Sequence, residues 1–253
     1  MNFQKMFRML RVAVTPGQWL LKSVLANGAI VCGKNIQGYG GRGVYIYRDA
    51  LEPELEALDG FLASTGVFVD IGANTGIYAL KAAKHFGGKT GTVLAVEPFV
   101  DVLATLYHSV DINGFSNMRL RNFAVGDKTG ATTFWMNFKR PHSFGMLKRD
   151  DGATSLSSLV VKLDDLFAWE GLDRLDYLKI DAEGAEQQIL AGGKQVITRC
   201  RPIIQLEVNV SDAASILPNY SIFQAKGSPN KFWIPNEHPK VDLPKKLGWD
   251  KLQ

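Results

Sequence analysis

Residues 67–80, VFVDIGANTGIYAL, constrain the fold more than any other stretch of this 253-residue chain. The apolar run from Val67 to Ile71 is followed by a glycine-broken loop and then by an apolar pattern of helical spacing. Open α/β sheets build a ligand pocket from a strand, a tight loop and a helix in this order. The stretch therefore predicts a mostly parallel sheet with a ligand site at its first loop.

From residue 67 onward, short apolar runs alternate with helical patterns, as they do in βαβ units. The predicted strands are residues 67–71, 93–96, 118–123, 131–136, 176–181 and 203–209. The predicted helices are residues 75–86, a segment that ends at residue 113, and a segment through residues 189 and 190. Residues 137–157 lack periodicity and are predicted to be a loop, whereas residues 220–235 predict an antiparallel hairpin that closes the sheet.

Residues 1–65 precede this unit and predict a basic helical arm followed by a small β-rich cap, and residues 66–253 form the α/β domain. The cap prediction rests on GYGGRGVYIY, in which Val44 and Ile46 alternate with aromatic neighbours. Residues 3–14 predict an amphipathic helix. Its apolar stripe consists of Phe3, Met6, Phe7 and Leu10.

The first 48 residues carry seven basic side chains and no acidic one, which leaves a net charge of −3 for the remainder. A basic segment of this kind contacts an anionic lipid surface, a phosphorylated acceptor or a partner subunit, or it is a solvated face without a partner. For the helix over residues 3–14, packing on the main domain is the favoured interpretation, and peripheral membrane contact is the alternative.

The chain contains no apolar run close to the ~18 residues that span a membrane, and Thr15, Pro16 and Gly17 interrupt the one candidate signal-peptide core. Two cysteines, Cys32 and Cys200, are too few for a disulfide framework, and no His/Cys spacing resembles a zinc site. We expect a cytoplasmic protein, with peripheral attachment to a membrane as the further option.

Three cofactors compete for the first loop. A dinucleotide needs G-x-G-x-x-G, but Asn74 and Ile77 stand at the second and third glycine positions. GGKT at residues 87–90 suggests a phosphate-binding loop, but Ala83 replaces its first glycine. S-adenosylmethionine (SAM) carries a sulfonium and an ammonium group and no phosphate, so the carboxylate of Asp70 attracts it and repels pyrophosphate. The loop therefore favours SAM.

A second acid belongs to the same predicted pocket. Glu97 comes 21 residues after Gly76 and ends the second predicted strand, where an acid accepts hydrogen bonds from two ribose hydroxyls. NAD enzymes share this acid, so it does not distinguish the two cofactors. Gly72 and Gly76 let the backbone pass close to a ligand with positive φ. A helix cap and turn without any nucleotide is the structural alternative.

Polar side chains follow two later predicted strands. Asp181 is the candidate base for a hydroxyl proton, with Glu183 as its orienting partner or replacement. Helix capping by Asp181 is the structural alternative. Asp181, Glu207 and Asn209 together offer oxygen ligands for Mg²⁺. His142, in the aperiodic loop, is a further candidate base, although a solvated loop histidine is the favoured interpretation.

Six sequence blocks occur in the order found in FkbM-family methyltransferases: VFVDIGANTGIYAL, AVEP, AVGDKTG, VVKLDDL, DYLKIDAEGAEQQIL and RPIIQLEVN. The chain resembles this family over residues 36–209. The resemblance implies the class I methyltransferase fold, an α/β Rossmann-like, mostly parallel sheet of seven strands with helices on both faces and a C-terminal antiparallel hairpin. The small N-terminal helical and β extension predicted above precedes it. It also implies O-methylation of a hydroxyl, often on a sugar or a polyketide-derived product.

Carried over by position, the resemblance assigns donor binding to the first loop, to the acid after the second strand and to the segment after the third strand, which borders adenine. The candidate SAM-binding residues are Asp70, Gly72, Ala73, Asn74, Gly76, Glu97, Asn122, Ala124 and Val125.

The leading hypothesis is a SAM-dependent O-methyltransferase that acts on a hydroxyl of a small molecule or glycan. A second hypothesis is a nucleotide-sugar enzyme in which Asp181 and Glu183 hold a metal ion on a diphosphate. A third is a non-catalytic binding module that uses the same pocket. The basic arm is accompanied by no nucleic-acid recognition motif. The oligomeric state stays open.

Overall fold

A computed structural model of the chain describes residues 3–36, 40–136, 154–182, 184–207 and 217–252. The helices are α1 (Phe3–Val14), α2 (Gly41–Tyr47), α3 (Pro53–Phe61), α4 (Ile77–His85), α5 (Val100–Asn113), α6 (Leu163–Glu170), α7 (Glu186–Gly192), α8 (Lys194–Cys200) and α9 (Leu243–Lys246), and a 3₁₀ turn (Arg48–Leu51) follows α2. The strands are β1 (Leu20–Val24), β2 (Ile30–Lys34), β3 (Val67–Ile71), β4 (Thr92–Val96), β5 (Met118–Arg121), β6 (Ala124–Gly126), β7 (Gly130–Met136), β8 (Thr154–Lys162), β9 (Tyr177–Ile180), β10 (Ile203–Leu206), β11 (Tyr220–Gln224), β12 (Lys231–Pro235) and β13 (Asp250–Lys251).

The main sheet has the strand order β13-β11-β12-β10-β9-β3-β4-β5. The five strands from β10 to β5 are parallel, and the β11–β12 hairpin adds an antiparallel edge. The predicted mostly parallel sheet and C-terminal hairpin are therefore confirmed. The sheet has eight strands rather than seven, because Asp250–Lys251 pairs with β11. A two-residue exposed strand has no apolar alternation by which a sequence pattern could detect it.

The central strands are buried on both faces, which explains why their sequences are continuous apolar runs. Alternate residues of β3 enter different layers: Phe68 packs with Leu80 of α4, whereas Val69 packs with Ile189 of α7. The predicted covering of both sheet faces by helices is confirmed.

Two smaller sheets flank the main one, a β1–β2 hairpin and a three-stranded sheet of order β6-β8-β7. The predicted loop over residues 137–157 was wrong at its end, because residues 154–157 begin β8 and pair with β7. Hydroxyl side chains dominate this part of β8, so the strand lacks the apolar residues on which the prediction depended. Residues 137–153 lie outside the described residues.

The β-rich prediction for the cap was wrong at residues 41–47, which form helix α2. Glycines permit this helix to lie directly against β2, since a Cβ atom on Gly41 would fall 2.4 Å from the carbonyl carbon of Gly33. The cap combines this helix with α3 and the β1–β2 hairpin. Val31 of β2 and Leu55 of α3 belong to the same hydrophobic core as Phe68. The domain boundary at residues 65 and 66 stays a prediction.

Helix α1 forms as predicted, but its apolar stripe does not face the domain. Val12 is the one buried residue of this helix, and Phe3, Phe7 and Leu10 are exposed. The favoured interpretation of the stripe as a core-facing surface was therefore wrong. In the part of the chain that the structure describes, no helix combines the length and apolarity needed to cross a membrane.

Candidate active site

The carboxyl ends of four adjacent strands bring the predicted polar residues into one row. Val96, Ile71, Ile180 and Leu206 are paired across the sheet, so the next residues along each strand are neighbours. Those next residues are Glu97, Gly72, Asp181 and Glu207. The amide of Asp181 donates to the carbonyl of Ile71 at 3.0 Å, which ties β9 to the first loop. The row is where open α/β sheets bind their ligands.

The loop after β3 depends on glycine at two positions. Gly72 and Gly76 have φ values of 74° and 73°, in the left-handed region that favours glycine. A Cβ atom on Gly72 would fall 1.8 Å from the carbonyl oxygen of Asp181, and one on Gly76 would fall 2.3 Å from Leu106. The amides of Gly72 and Ala73 both donate to the carbonyl of Val96. The loop is therefore held against both β4 and β9.

Glu97 is buried and held by the backbone. Its Oε2 accepts from the amide of Asn74 at 2.9 Å, and its Oε1 accepts from the amide of Phe99 at 3.0 Å. Burial raises the pKa of Glu97 to about 7, although the two amide donors work in the opposite direction. Each carboxylate oxygen keeps a second lone pair for a ligand hydroxyl.

The segment after β5 has three different environments. Asn122 Nδ2 donates to the carbonyl oxygens of Glu97 and Pro98 at 3.0 Å each, so it fixes the turn after β4. Val125 is buried in the core, whereas Ala124 packs against an apolar cluster that includes Phe99 and Phe134. This cluster adjoins Glu97 through residue 99. Of the three predicted adenine contacts, Ala124 is the one whose side chain lies with apolar groups outside the main core.

Lys179 of β9 was missed by the sequence reasoning, although it stands opposite Asp70 in the sheet. Its Nζ lies 3.2 Å from Asp181 Oδ2 and 3.7 Å from Asp70 Oδ1. Burial lowers the pKa of Lys179, but Asp181, Asp70 and Glu52 more than offset this effect and leave the pKa above its ordinary value. Lys179 is therefore a buried cation. A lysine inside the otherwise apolar YLKI run was the signal for a charge partner.

Asp70 lies beneath the row rather than at the surface. Its side chain is 1% exposed, and its carboxylate is held by Lys179, 3.7 Å from Oδ1, and by the backbone amide of Ala79. Burial raises the pKa of Asp70, and Lys179 opposes this effect. The electrostatic argument made for Asp70 from the sequence must therefore include the charge of Lys179.

Asp181 contacts both Lys179 and Glu207. Burial acts to raise the pKa of Asp181, but Lys179 and a hydrogen bond with Glu207 outweigh burial and leave the pKa below its ordinary value. Asp181 is accordingly ionised at neutral pH.

The other predicted catalytic and metal-binding residues are only partly visible. Glu183, Asn209 and His142 lie outside the described residues. Among the residues that are described, no three His, Cys, Asp or Glu side chains converge as they would around a metal ion. Asp181 and Glu207, two of the three residues of the predicted Mg²⁺ set, are in contact with each other.

A network of hydrogen-bonded polar side chains packs against Lys179 inside the protein, and the sequence did not predict it. Lys179 Nζ lies 4.9 Å from the centre of the Tyr78 ring, and the Tyr78 hydroxyl donates to Glu52. Gln205 Nε2 donates to the Tyr78 oxygen at 3.2 Å, and the Tyr177 hydroxyl donates to Gln205 Oε1 at 2.8 Å. This network links α4 and the segment before α3 to β9 and β10. Gln205 within the apolar IIQL run was its sequence signal.

Comparison with known proteins decides the family. A family model described as the methyltransferase FkbM domain matches residues 70–223, from the first loop to β11. The chain belongs to the FkbM methyltransferase family. The match includes the loop, Glu97, Lys179 and Asp181. Membership implies methyl transfer and, in general, SAM as the donor, and it leaves the acceptor unspecified.

No curated protein matches this FkbM methyltransferase significantly. Among solved structures, it is similar to a methyltransferase FkbM from Methylobacillus flagellatus KT, with 19% identity, a TM-score of 0.49, and coverage of 77% of this chain and 53% of that one. The chain thus spans about half the length of that structure. It is also similar to the METTL16 MTase domain, with 15% identity, a TM-score of 0.48, and coverage of 84% and 86%. A precorrin-6y C5,15-methyltransferase from Geobacter metallireducens GS-15 shows 15% identity, a TM-score of 0.39, and coverage of 72% and 86%.

Proposed function

We propose that this FkbM methyltransferase transfers the methyl group of SAM to a hydroxyl oxygen of a small molecule or glycan. The observation that carries the proposal is the row of carboxyl groups from Glu97 to Glu207, with Asp70 beneath it. In the described part of the chain, Lys179 is the cation that contacts this row. Four carboxyl groups beside one lysine suit a ligand with sulfonium and ammonium groups better than a pyrophosphate.

The described residues fit SAM in three places. Glu97 has lone pairs left for the two ribose hydroxyls, and the cluster around Phe99 and Ala124 offers an apolar face to adenine. The carboxylate of Asp70 lies beneath the row and attracts the ammonium group by its charge, through a bridging water. When bound, SAM supplies an electrophilic methyl group on its sulfonium.

Asp181 is the proposed general base. Its lowered pKa keeps it ionised at neutral pH, and Lys179 and Glu207 fix its carboxylate from two sides. A base of low pKa is sufficient, because the hydroxyl proton of the acceptor becomes strongly acidic as its oxygen forms the new bond to carbon. Such a base contributes about 10²- to 10⁴-fold to a rate. Glu183 and His142 stay candidates for this role.

The acceptor is tested by product analysis. The purified full chain is incubated with methyl-labelled SAM and an extract of host cells, and the labelled product is identified by mass spectrometry. We expect the label on a hydroxyl oxygen. A label on nitrogen, carbon or sulfur would contradict O-methylation, and tight calorimetric binding of UDP- or GDP-sugars with no binding of SAM would support a nucleotide-sugar enzyme instead.

The base is tested by Asp181→Asn, which keeps the shape of the side chain. We expect the rate of methyl transfer to fall by about 10²- to 10⁴-fold. The matched control is Asp173→Asn, at an exposed position that precedes β9, whereas the row follows the carboxyl ends of the strands. An Asp181→Asn variant with full activity would assign the proton to another group, and a full biological effect without any methyl transfer would indicate a binding module.

A further inference from the structure

Helix α1 presents its apolar face to solvent. Its apolar stripe consists of Phe3, Met6, Phe7, Leu10 and Val14. The exposed fractions of these side chains run from 39% for Met6 to 81% for Val14. A helix on the surface of a globular protein normally buries such a stripe against the core. The orientation of α1 is the reverse of that arrangement.

The polar side of α1 attaches the helix to the rest of the protein. Lys5 and Val12 lie opposite the stripe at 3.6 residues per turn. Lys5 Nζ sits 4.2 Å from the centre of the Tyr47 ring in α2. Asn35 Nδ2 donates to the carbonyl oxygens of Val12 and Thr15 at 2.8 and 2.7 Å. These contacts fix the helix with its apolar stripe outward.

The N-terminal segment that carries the stripe is rich in basic side chains. Of the seven basic residues in the first 48, Lys34 pairs with Asp101. The other six have no carboxylate partner within the described ranges; they are Lys5, Arg8, Arg11, Lys22, Arg42 and Arg48. Trp19, just after the helix, is 65% exposed. An exposed apolar stripe and tryptophan in a segment of basic side chains that lack carboxylate partners are typical of helices that lie in the surface of a bilayer.

We propose that α1 docks this protein on a bilayer that contains anionic lipid, with the stripe inserted at the boundary between headgroups and acyl chains. Charge decides between this occupant and a second copy of the chain. A symmetric dimer formed through α1 would bring two segments together that each carry only positive charge. Anionic lipid supplies the opposite charge for each basic residue near the surface.

Docking would hold the candidate active site close to the membrane. At its start, α2 lies against the donor loop, where a Cβ atom on Gly40 would fall 2.9 Å from both Asn74 Oδ1 and Thr75 Oγ1. At its end, Tyr47 of the same helix lies under Lys5 of α1. A seven-residue helix is about 10 Å long, so this short element connects the docking surface with the loop. The docking proposal does not depend on the reaction.

The test is co-sedimentation of the full chain with vesicles of phosphatidylcholine, with and without phosphatidylserine, at low and high salt. We expect binding to the anionic vesicles that weakens at high salt. The double variant Phe7→Glu/Leu10→Glu should lose at least about tenfold in vesicle affinity, because two inserted apolar side chains become charged. Its thermal unfolding and its calorimetric binding of SAM should match those of the wild type.

The matched control is Tyr107→Glu/Trp169→Glu, which adds the same charge at exposed aromatic positions of α5 and α6. This control should bind vesicles within about twofold to threefold of the wild type, since its two acids slightly reduce the overall positive charge. An equal loss in both double variants would overturn the proposal. Unfolding of Phe7→Glu/Leu10→Glu would show that the stripe is buried and would also overturn the proposal. The same holds if the wild type is a dimer that does not bind vesicles and this variant is a monomer.

Discussion

At the scale of single residues, the ionisation of Glu97 links donor binding to pH. Its pKa is raised to about 7 by burial, and ribose hydroxyls donate to the ionised carboxylate. SAM binding should therefore release a proton below pH 7. As the pH rises toward about 7, we expect the affinity of the wild type for SAM to increase by up to about tenfold per pH unit. Above about pH 7 the affinity should level off. Calorimetric titration with SAM from about pH 6 to about pH 8 measures this dependence.

The control for this prediction is Glu97→Gln, which removes the titrating group and keeps a hydrogen-bonding side chain. At about pH 8 the variant should bind SAM about tenfold to a hundredfold more weakly, as expected for the loss of hydrogen bonds to a charged group. Its affinity should then change little with pH. A wild-type affinity that is flat across the same interval would show that Glu97 does not titrate near 7 or does not contact the donor.

Lys179 contributes to the stability of the folded protein. Lys179→Met leaves Asp70 and Asp181 without their cation, and we expect the free energy of unfolding at pH 7 to fall by about 3–5 kcal/mol. Burial already raises the pKa of Asp70, and loss of Lys179 raises it further. A carboxyl group with a raised folded-state pKa stabilises the protein at low pH and loses this contribution as the pH rises. Urea denaturation should therefore show a smaller deficit near pH 5 than near pH 7.

Lys81 provides a matched control for that experiment. Its side chain is 2% exposed, and its partners Asp49 and Asp59 are 13% and 36% exposed. Of the partners of Lys179, Asp181 is 39% exposed and Asp70 is 1% exposed, so the two sites differ in the burial of Asp70. Water reaches these acids when the lysine is removed, so Lys81→Met should cost less and depend less on pH. Equal losses and equal pH trends in the two variants would contradict the assignment of buried, uncompensated charge to the Lys179 site.

The residues of the site show which parts of its geometry can be predicted from the sequence. The apolar runs before Glu97 and Asp181 were enough to predict that both acids end strands near Asp70, because parallel strands end at one edge. Their places on either side of β3 come from the structure. Lys179 was missed because the partner of a lysine in a strand can be identified only when the register of the strand pairing is known. The register that sets it opposite Asp70 comes from packing of the whole sheet.

At the scale of elements, the strands that the sequence predicted most clearly are those buried on both faces of the sheet. Strands buried on both faces are apolar throughout, so β3, β4 and β10 stand out in the sequence. Helix α2 was mistaken for a strand because its aromatic and β-branched residues favour strands. Close packing against β2 overrides that preference.

Helix α2 gives the prediction at this scale. In Gly41→Ala, the new Cβ atom would lie 2.4 Å from the Gly33 carbonyl carbon and 2.6 Å from the Lys34 oxygen, so the helix must move away from β2. We expect a loss of about 1–3 kcal/mol in the free energy of unfolding, measured with urea. Affinity for SAM should also fall, because the start of the helix lies against Asn74 and Thr75.

Gly43→Ala is the control within the same helix. The nearest atom to its Cβ would be Leu51 Cδ1 at 3.2 Å, at the end of a flexible side chain. Alanine favours a helix over glycine by about 1 kcal/mol, so this variant should be as stable as the wild type or more stable. If Gly41→Ala were equally harmless, the close contact between α2 and β2 would be wrong.

At the scale of the whole molecule, the N-terminal elements complete one of the two cores. Ala29, Leu55 and Leu58 are fully buried in the core that also contains Phe68 and Phe232 of the main sheet. Helix α1 differs, because it contributes Val12 alone to the buried residues. A cut at residue 65 therefore exposes one face of the main sheet, whereas a cut at residue 16 removes a helix held by few contacts.

Two truncations separate these cases. We expect residues 17–253 to unfold cooperatively within a few degrees of the full chain, since the loss of about 1–2 kcal/mol shifts a melting temperature little in a protein of this size. Residues 66–253 should lack a cooperative unfolding transition. Exposing the apolar side chains that the N-terminal elements cover would cost more free energy than the net stability of a domain of this size. Calorimetry on both fragments measures the difference. A sharp transition in residues 66–253 would instead establish the predicted boundary as that of an independently folding domain, with the hairpin, α2 and α3 as an accessory to it.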